Sequence, residues 1–320
     1  MLDRGKVNKY LAIGFMLALV ACLPLFVNRY YLHLAIMSGL GVILALGLNL
    51  LYGYSGQINF GVAAFYAIGA YAVALLQAKA GLYFFASLAI ALIIAVLVAL
   101  IISLPLLRLR HLGLALGTLA FAVIIYSLAC AMRDFTGGSD GLVVPKLVLL
   151  GYKAGTTFYF YMVLVLAIAC YLACHHLVSS KIGRALMAIR EDESAALASG
   201  INVDRYKRLA FTINALFTAL AGGIYAQHAG FIAPALFDVH FNLLGILMVV
   251  VGGPSNLGSV IGGIFIMLLP EFVIAFKGYH IMAYGLILVL VLMFMPRGIT
   301  GLIKAGTFKR SQTRLGRSLL

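Results

Sequence analysis

Residues 181–208 read KIGRALMAIREDESAALASGINVDRYKR, and long apolar runs lie on both sides of them. The stretch carries Glu191, Asp192, Glu193 and Asp204, four of the nine acidic residues of the chain, together with Lys181, Arg184, Arg190, Arg205, Lys207 and Arg208. A charged island between two apolar runs belongs in water, between two membrane spans. A plain connection would be shorter and would need no pattern. This one reads as a helix: Ala185, Ala188, Ile189, Ala195, Ala196 and Ala198 are mostly small, Gly183 precedes its start, and Gly200 stands where a C-terminal cap belongs. Small side chains admit close approach, and Arg190, Glu191, Asp192 and Glu193 offer charges to pair with. The segment reads as a surface on which a second protein presses.

The rest of the chain sets the solvent. It is 64% apolar and 10% charged with a mean hydropathy of +1.11, against about 45–50% and about 25% in soluble domains. Apolar runs cover 10–27, 31–51, 58–77, 82–107, 112–132, 158–178, 209–229, 241–252, 257–276 and 281–295. At about 20 residues per span, the expectation is an all-α membrane protein, a polytopic helical bundle of about ten segments (eight to ten). Both termini are then cytoplasmic, and 1–320 forms a single transmembrane domain with a basic tail over 297–320. The run 10–27 follows Arg4, Lys6 and Lys9 but has no small-residue cleavage site after it, so it reads as a retained first span.

Charge placement supports that topology. With the N-terminus inside, Arg4, Lys6, Lys9, Arg108, Arg110, the cations of 181–208 and those from Arg297 to the end fall on the cytoplasmic side; Arg29, Lys79, Arg133, Lys146, Lys153 and Lys277 fall opposite. This is the positive-inside bias. The net charge of +14 is thereby topological and lipid-facing, with no aromatic interleaving of the kind nucleic acid requires.

Several stretches depart from plain span composition. Residues 46–61, LGLNLLYGYSGQINFG, place Asn49, Gln57 and Asn59 among glycines; carboxamides in hydrocarbon need partners, so these face other helices or line a wet path through a broken helix. Thr136, Gly137, Gly138 and Asp140 belong to a polar glycine-rich turn on the outer side, which bends the chain or meets a ligand. Residues 219–226, ALAGGIYA, form a small-residue face for tight crossing. Gly252-Gly253-Pro254-Ser255-Asn256 interrupts an apolar stretch and echoes the glycines at 53, 56 and 61, as paired breaks in an internal repeat would. Glu271 is a carboxylate near a span end, placed either on the translocation path to bind a substrate ammonium group or to snorkel and bond to backbone.

Catalytic chemistry finds no support. There is no Gly-x-x-x-x-Gly-Lys-[Ser/Thr] phosphate loop, no intramembrane acidic chain, and no nucleophile with its base. No metal site is expected: Cys170 and Cys174 sit one turn apart beside His175 and His176, but thiols in apolar runs pack.

Taken together, RALMAIREDESAALASG (184–200), ALGLNLLYGYSGQINFG, FYAIGAY, RLR before LALGTLAF, TGGSDG, AFTINALFTALAGGIYA, VVVGG, LPE and PRGI occur in the order shown by ABC importer permeases, and the chain most resembles LivM-type permeases of branched-chain amino acid transporters. The pieces span nearly the whole chain. His111-Leu112-Gly113 and Ser255 depart from the family pattern, which bears on substrate preference rather than on coupling. The resemblance implies a permease in a bacterial-type cytoplasmic (inner) membrane, and not an enzyme. It implies partnership with a second homologous permease, two cytoplasmic ABC ATPases, an extracytoplasmic solute-binding protein and membrane lipid, with ATP and magnesium on the ATPases and no cofactor in this chain. It makes Arg190, Glu191, Asp192, Glu193, Ala195, Ala196 and Gly200 the ATPase-coupling segment. It also puts Thr136, Gly137, Gly138 and Asp140 on the face used by the binding protein. Branched-chain amino acids lead as substrates, with urea or short amides next; an ATP-independent secondary carrier is the rival from another class.

Overall fold

The computed structural model describes residues 20–109, 111–149 and 152–273, with short pieces at 282, 285–286 and 298–301. Most of the runs 10–27 and 281–295 lies outside these residues, as does most of the basic tail. The described chain is a bundle of α1 (Arg29–Asn49), α2 (Val62–Ala78), α3 (Phe84–Leu106), α4 (His111–Ala131), α5 (Thr156–Ser179), α6 (Lys181–Glu191), α7 (Glu193–Ala198), α8 (Val203–Ala229), α9 (Val239–Gly252) and α10 (Asn256–Val273). Six described segments are long and apolar enough to cross a membrane, and α2 and α10 are shorter apolar helices. The short run at 241–252 is explained by a 3₁₀ turn at Pro234–Phe237 that precedes α9, giving an apolar segment of 19 residues.

Among the described residues, strand pairing is confined to one end of the bundle. There β1 (Leu142–Val143) pairs antiparallel with β4 (Phe231–Ile232), and β2 (Val148–Leu149) with β3 (Tyr152–Lys153). The opposite end, the charged end, holds α6, α7 and the junction between α9 and α10.

The core is built around α8, which packs along α2, α3 and α1, while α1 also packs against α10 and α5. The α2–α8 crossing brings backbone against backbone: a Cβ added at Gly222 would lie 2.1 Å from the Tyr66 carbonyl oxygen, and one at Gly69 would lie 2.1 Å from that of Ala219. Without a hydrophobic drive between helices in lipid, such close contact is what holds a crossing together. In contrast, only 28% of the α3 window is buried, against 78% for α1 and its extension to Tyr54. The exposed Ile93, Leu97 and Ile101 of α3 form a face suited to lipid.

The charged island is two helices rather than one. Ser180 caps α6 through its hydroxyl, which accepts from the Ile182 amide at 3.1 Å. Gly183 lies inside α6, where a Cβ would meet the Val178 carbonyl oxygen at 2.0 Å. Asp192 is extended (φ −155°, ψ 112°), and its carboxylate accepts from the amides of Ser194 and Ala195. A side chain that satisfies orphan amides favours the cap position over the helix interior, so the helix stops and restarts there. Gly200 fulfils its expected role: at φ +79° its amide bonds to the Leu197 carbonyl and that of Ile201 to Ala196, the paired closure that ends α7.

Gly222→Ala should force α2 and α8 apart and lower the unfolding midpoint in detergent, by the equivalent of about 1–3 kcal/mol. Gly155→Ala, whose added Cβ meets nothing within 4 Å, should leave that midpoint in place.

Candidate functional site: paired helix breaks at the charged end

The α1 helix does not stop at Asn49. It widens into a π turn over Leu50–Tyr54, and residues 56–61 then run without helical structure to the start of α2. Such π turns are rare and concentrate at functional positions. Gly56, at φ +72°, makes the reversal. A second break separates α9 from α10 at Gly253-Pro254-Ser255. The echo between the two glycine stretches thus corresponds to two real breaks, and they touch: a Cβ on Gly53 would lie 3.4 Å from Pro254 Cα, and the Tyr54 hydroxyl donates to Asn256 Oδ1 at 3.2 Å.

Each break frees backbone groups that need partners. At the first, the Gly53 carbonyl accepts from Arg190 Nη1, which reaches it from the end of α6. At the second, Thr300 Oγ1 donates to the Gly252 carbonyl at 2.9 Å and the Gly258 amide donates to Ser255 Oγ at 3.0 Å. Three elements cap the start of α2. Thr118 of α4 accepts from the Phe60 amide (3.0 Å), Asn59 from Gly61 (2.7 Å) and Asn242 of α9 from Ala63 (2.8 Å).

Between the first break and the charged segment lies a polar cleft of about 730 Å³, lined among others by Ser55, Gln57, Arg108, Arg190, Glu193 and Lys207. Lys207 of α8 pairs with Glu193 of α7 at 2.7 Å across it. Glu193 is 47% exposed in its side chain, so the pair orients α7 more than it stabilises the fold.

The three carboxamides of residues 46–61 are buried: Asn49 at 0% exposure, Gln57 at 6% and Asn59 at 2%. Both polar atoms of Asn49 and of Gln57, and the Asn59 amide nitrogen, have no hydrogen-bond partner among the described residues. Sequence reasoning passed over Asn214, Asn242 and Thr118, which are equally buried; the two asparagines stood alone inside apolar runs, and that isolation was the available signal. Among the described residues, Glu271 accepts from the Tyr30 hydroxyl at the start of α1.

At the stranded end, the glycine-rich turn works as a bend. Gly137, Gly138 and Gly141 all have positive φ. Thr136 is buried, its hydroxyl within 2.6 Å of the Ala129 carbonyl and 3.2 Å from the Gly138 amide that donates to it. Asp140 alone of the predicted set faces solvent. The neighbouring loop is tied down by Gln227, whose amide donates to the Pro145 carbonyl at 2.8 Å, and by Lys79, which sits 4.4 Å over the Phe135 ring. Cys170 and Cys174 are buried, the latter thiol directed at the Leu46 carbonyl at 3.9 Å.

A profile of the family described as "Branched-chain amino acid transport system / permease component" matches residues 30–296. The chain is 31% identical to the high-affinity branched-chain amino acid transport system permease protein LivM of Escherichia coli (strain K12), over 93% of this chain and 76% of that one. It is 26% identical to the probable branched-chain amino acid transport permease protein LivM of Methanocaldococcus jannaschii, over 82% and 90% of the two chains. It is 28% identical to the probable LivH permease protein of the same organism, over 83% and 90%. No solved structure matches.

Asp192→Ala should remove the cap of α7 at a loss of about 1 kcal/mol, read as faster hydrogen exchange at the Ser194 and Ala195 amides while exchange in α8 stays unchanged.

Proposed function

The chain belongs to the family of branched-chain amino acid transport permease components, and we propose that it is the membrane subunit of an ATP-driven importer carrying branched-chain amino acids. It crosses the membrane about ten times as one domain over residues 1–320, with α6, α7 and both termini in the cytoplasm of a bacterial-type cell bounded by its inner membrane. A second, homologous permease completes the passage. Two cytoplasmic ATPases bearing ATP and magnesium press on Glu191, Asp192, Glu193, Ala195, Ala196 and Gly200, and a binding protein meets the turn around Asp140 outside.

One observation carries this reading: the charged segment is joined by Arg190 to a helix break inside the bundle. A merely solvated loop would have no reason to reach a carbonyl within the helix layer. Asn49, Gln57 and Asn59 then line the translocation path. Their buried and unpartnered amides support this, because such groups are expensive in a dry core and acceptable beside a wet one. Binding protein and path together select the solute.

In proteoliposomes holding the permease pair, ATPases and binding protein, labelled leucine and valine should accumulate only with ATP, and urea should not. Urea uptake without leucine uptake would move the substrate to short amides; uphill uptake by this chain alone, without nucleotide, would overturn the importer reading. Gly200→Leu, which strains the positive-φ closure of α7, and Glu193→Lys, which sets two cations against each other at Lys207, should each cut uptake at unchanged membrane insertion.

A further inference from the structure

The family resemblance assigns Arg190 to a partner-facing surface along with its neighbours, yet its guanidinium, on a residue that stays solvent-exposed, also reaches back to a helix break. Arg190 Nη1 donates to the Gly53 carbonyl in the π turn, and the stem of the side chain lies against the Gly56 reversal, where an added Cβ would stand 3.1 Å from Arg190 Cγ and 3.6 Å from its Cα. The same turn abuts the second break through Gly53 against Pro254 and through the Tyr54–Asn256 hydrogen bond. That break is in turn held by Thr300 on Gly252. Arg190, the first break and the second break therefore form one continuous network at the charged end.

We propose that Arg190 is a pin joining the charged segment to both helix breaks, a positioning residue for transport rather than a docking residue for the ATPases. This rests on the importer reading and deepens it. The segment is rigid enough to transmit motion: Leu186 and Ile189 of α6 are buried, and Ile189 packs with Ala196 of α7 and Val203 of α8. The π turn is the compliant element, since it differs from α-helix by one inserted residue and can rewind locally. Displacing α6 and α7 pulls Gly53, and the touching break at Pro254 follows. The planar guanidinium suits this task because it offers several donors in a fixed fork, so the bond survives a change in angle.

The test uses the assembled transporter. In Arg190→Ala, the ATPases should still co-purify and still hydrolyse ATP, while uptake falls roughly tenfold or more, the scale of a lost charge-assisted hydrogen bond. Arg190→Lys should recover part of the uptake, because its ammonium can donate once to the same carbonyl. Uptake in Arg190→Ala within about twofold of wild type, or loss of the ATPases from the complex, would overturn the pin.

A second measurement does not depend on how well the Arg190→Ala transporter folds. With Cys22 and Cys130 replaced by serine, a Ser55→Cys thiol in the cleft should label at different rates in nucleotide-free and ATP–vanadate-trapped complexes when Arg190 is present. Equal rates would sink the proposal. If the wild-type complex shows no ATP-dependent uptake in these assays, the functional reading fails and not the pin.

Discussion

A helix broken at membrane depth leaves backbone groups that lipid cannot satisfy, and each must find a partner in the protein or in a water-filled cavity. This chain breaks two of its helices near the charged end, after the π turn that ends at Tyr54 and after Gly252. The architecture there is largely the set of partners those breaks require. Thr118, Asn59 and Asn242 serve the start of α2, Arg190 serves Gly53, and Thr300 serves Gly252. Because the partners come from α4, α6, α9 and the chain near its C-terminus, satisfying the breaks also fixes how those elements sit.

Holding such breaks together needs close helix approach, which glycine supplies by having no side chain. On α2 and α8 the approach is backbone to backbone at Gly69 and Gly222; on α1 and α10 an added Cβ at Gly263 would stand 2.8 Å from Gly41. Larger residues at these crossings would open the bundle, and Gly53 would part from Pro254. The stranded end uses the opposite means. There the loops are secured by side chains, as when Gln227 reaches Pro145 and Lys79 covers Phe135, so that a polar turn can stay in place at a wet surface.

Much of this was legible in the sequence. The apolar runs between 31 and 276 gave the described helices, the ALAGGIYA face gave the tight crossing, Gly200 gave the end of α7, and the two glycine stretches marked the breaks. The cap at Asp192 was hidden because a helical pattern of alanines continues across it, and only the carboxylate's reach to two amides splits the helix. The direction of Arg190 was hidden for a different reason. Periodicity gives the face of a residue on its own helix, whereas the carbonyl it meets lies 137 residues away and is free because the helix ends there. Asn214 and Asn242 were overlooked because a single amide in an apolar run carries no pattern.

The placement of stiff and yielding parts explains why the breaks lie where they do. Motion delivered to a rigid surface helix is useful only if something deeper can yield, and an uninterrupted α-helix yields poorly along its axis. A π turn followed by a glycine reversal can change shape while most of the surrounding packing stays in place, so such a compliant point beside α6 suits a segment proposed to move. At the far end of α1 the requirement is reversed: His33 meets His228 at 2.9 Å and Tyr30 meets Glu271, side-chain ties that join α1 to α8 and α10. With one end tied and the other broken, a displacement of α6 would be taken up at the charged end instead of being spread through the bundle.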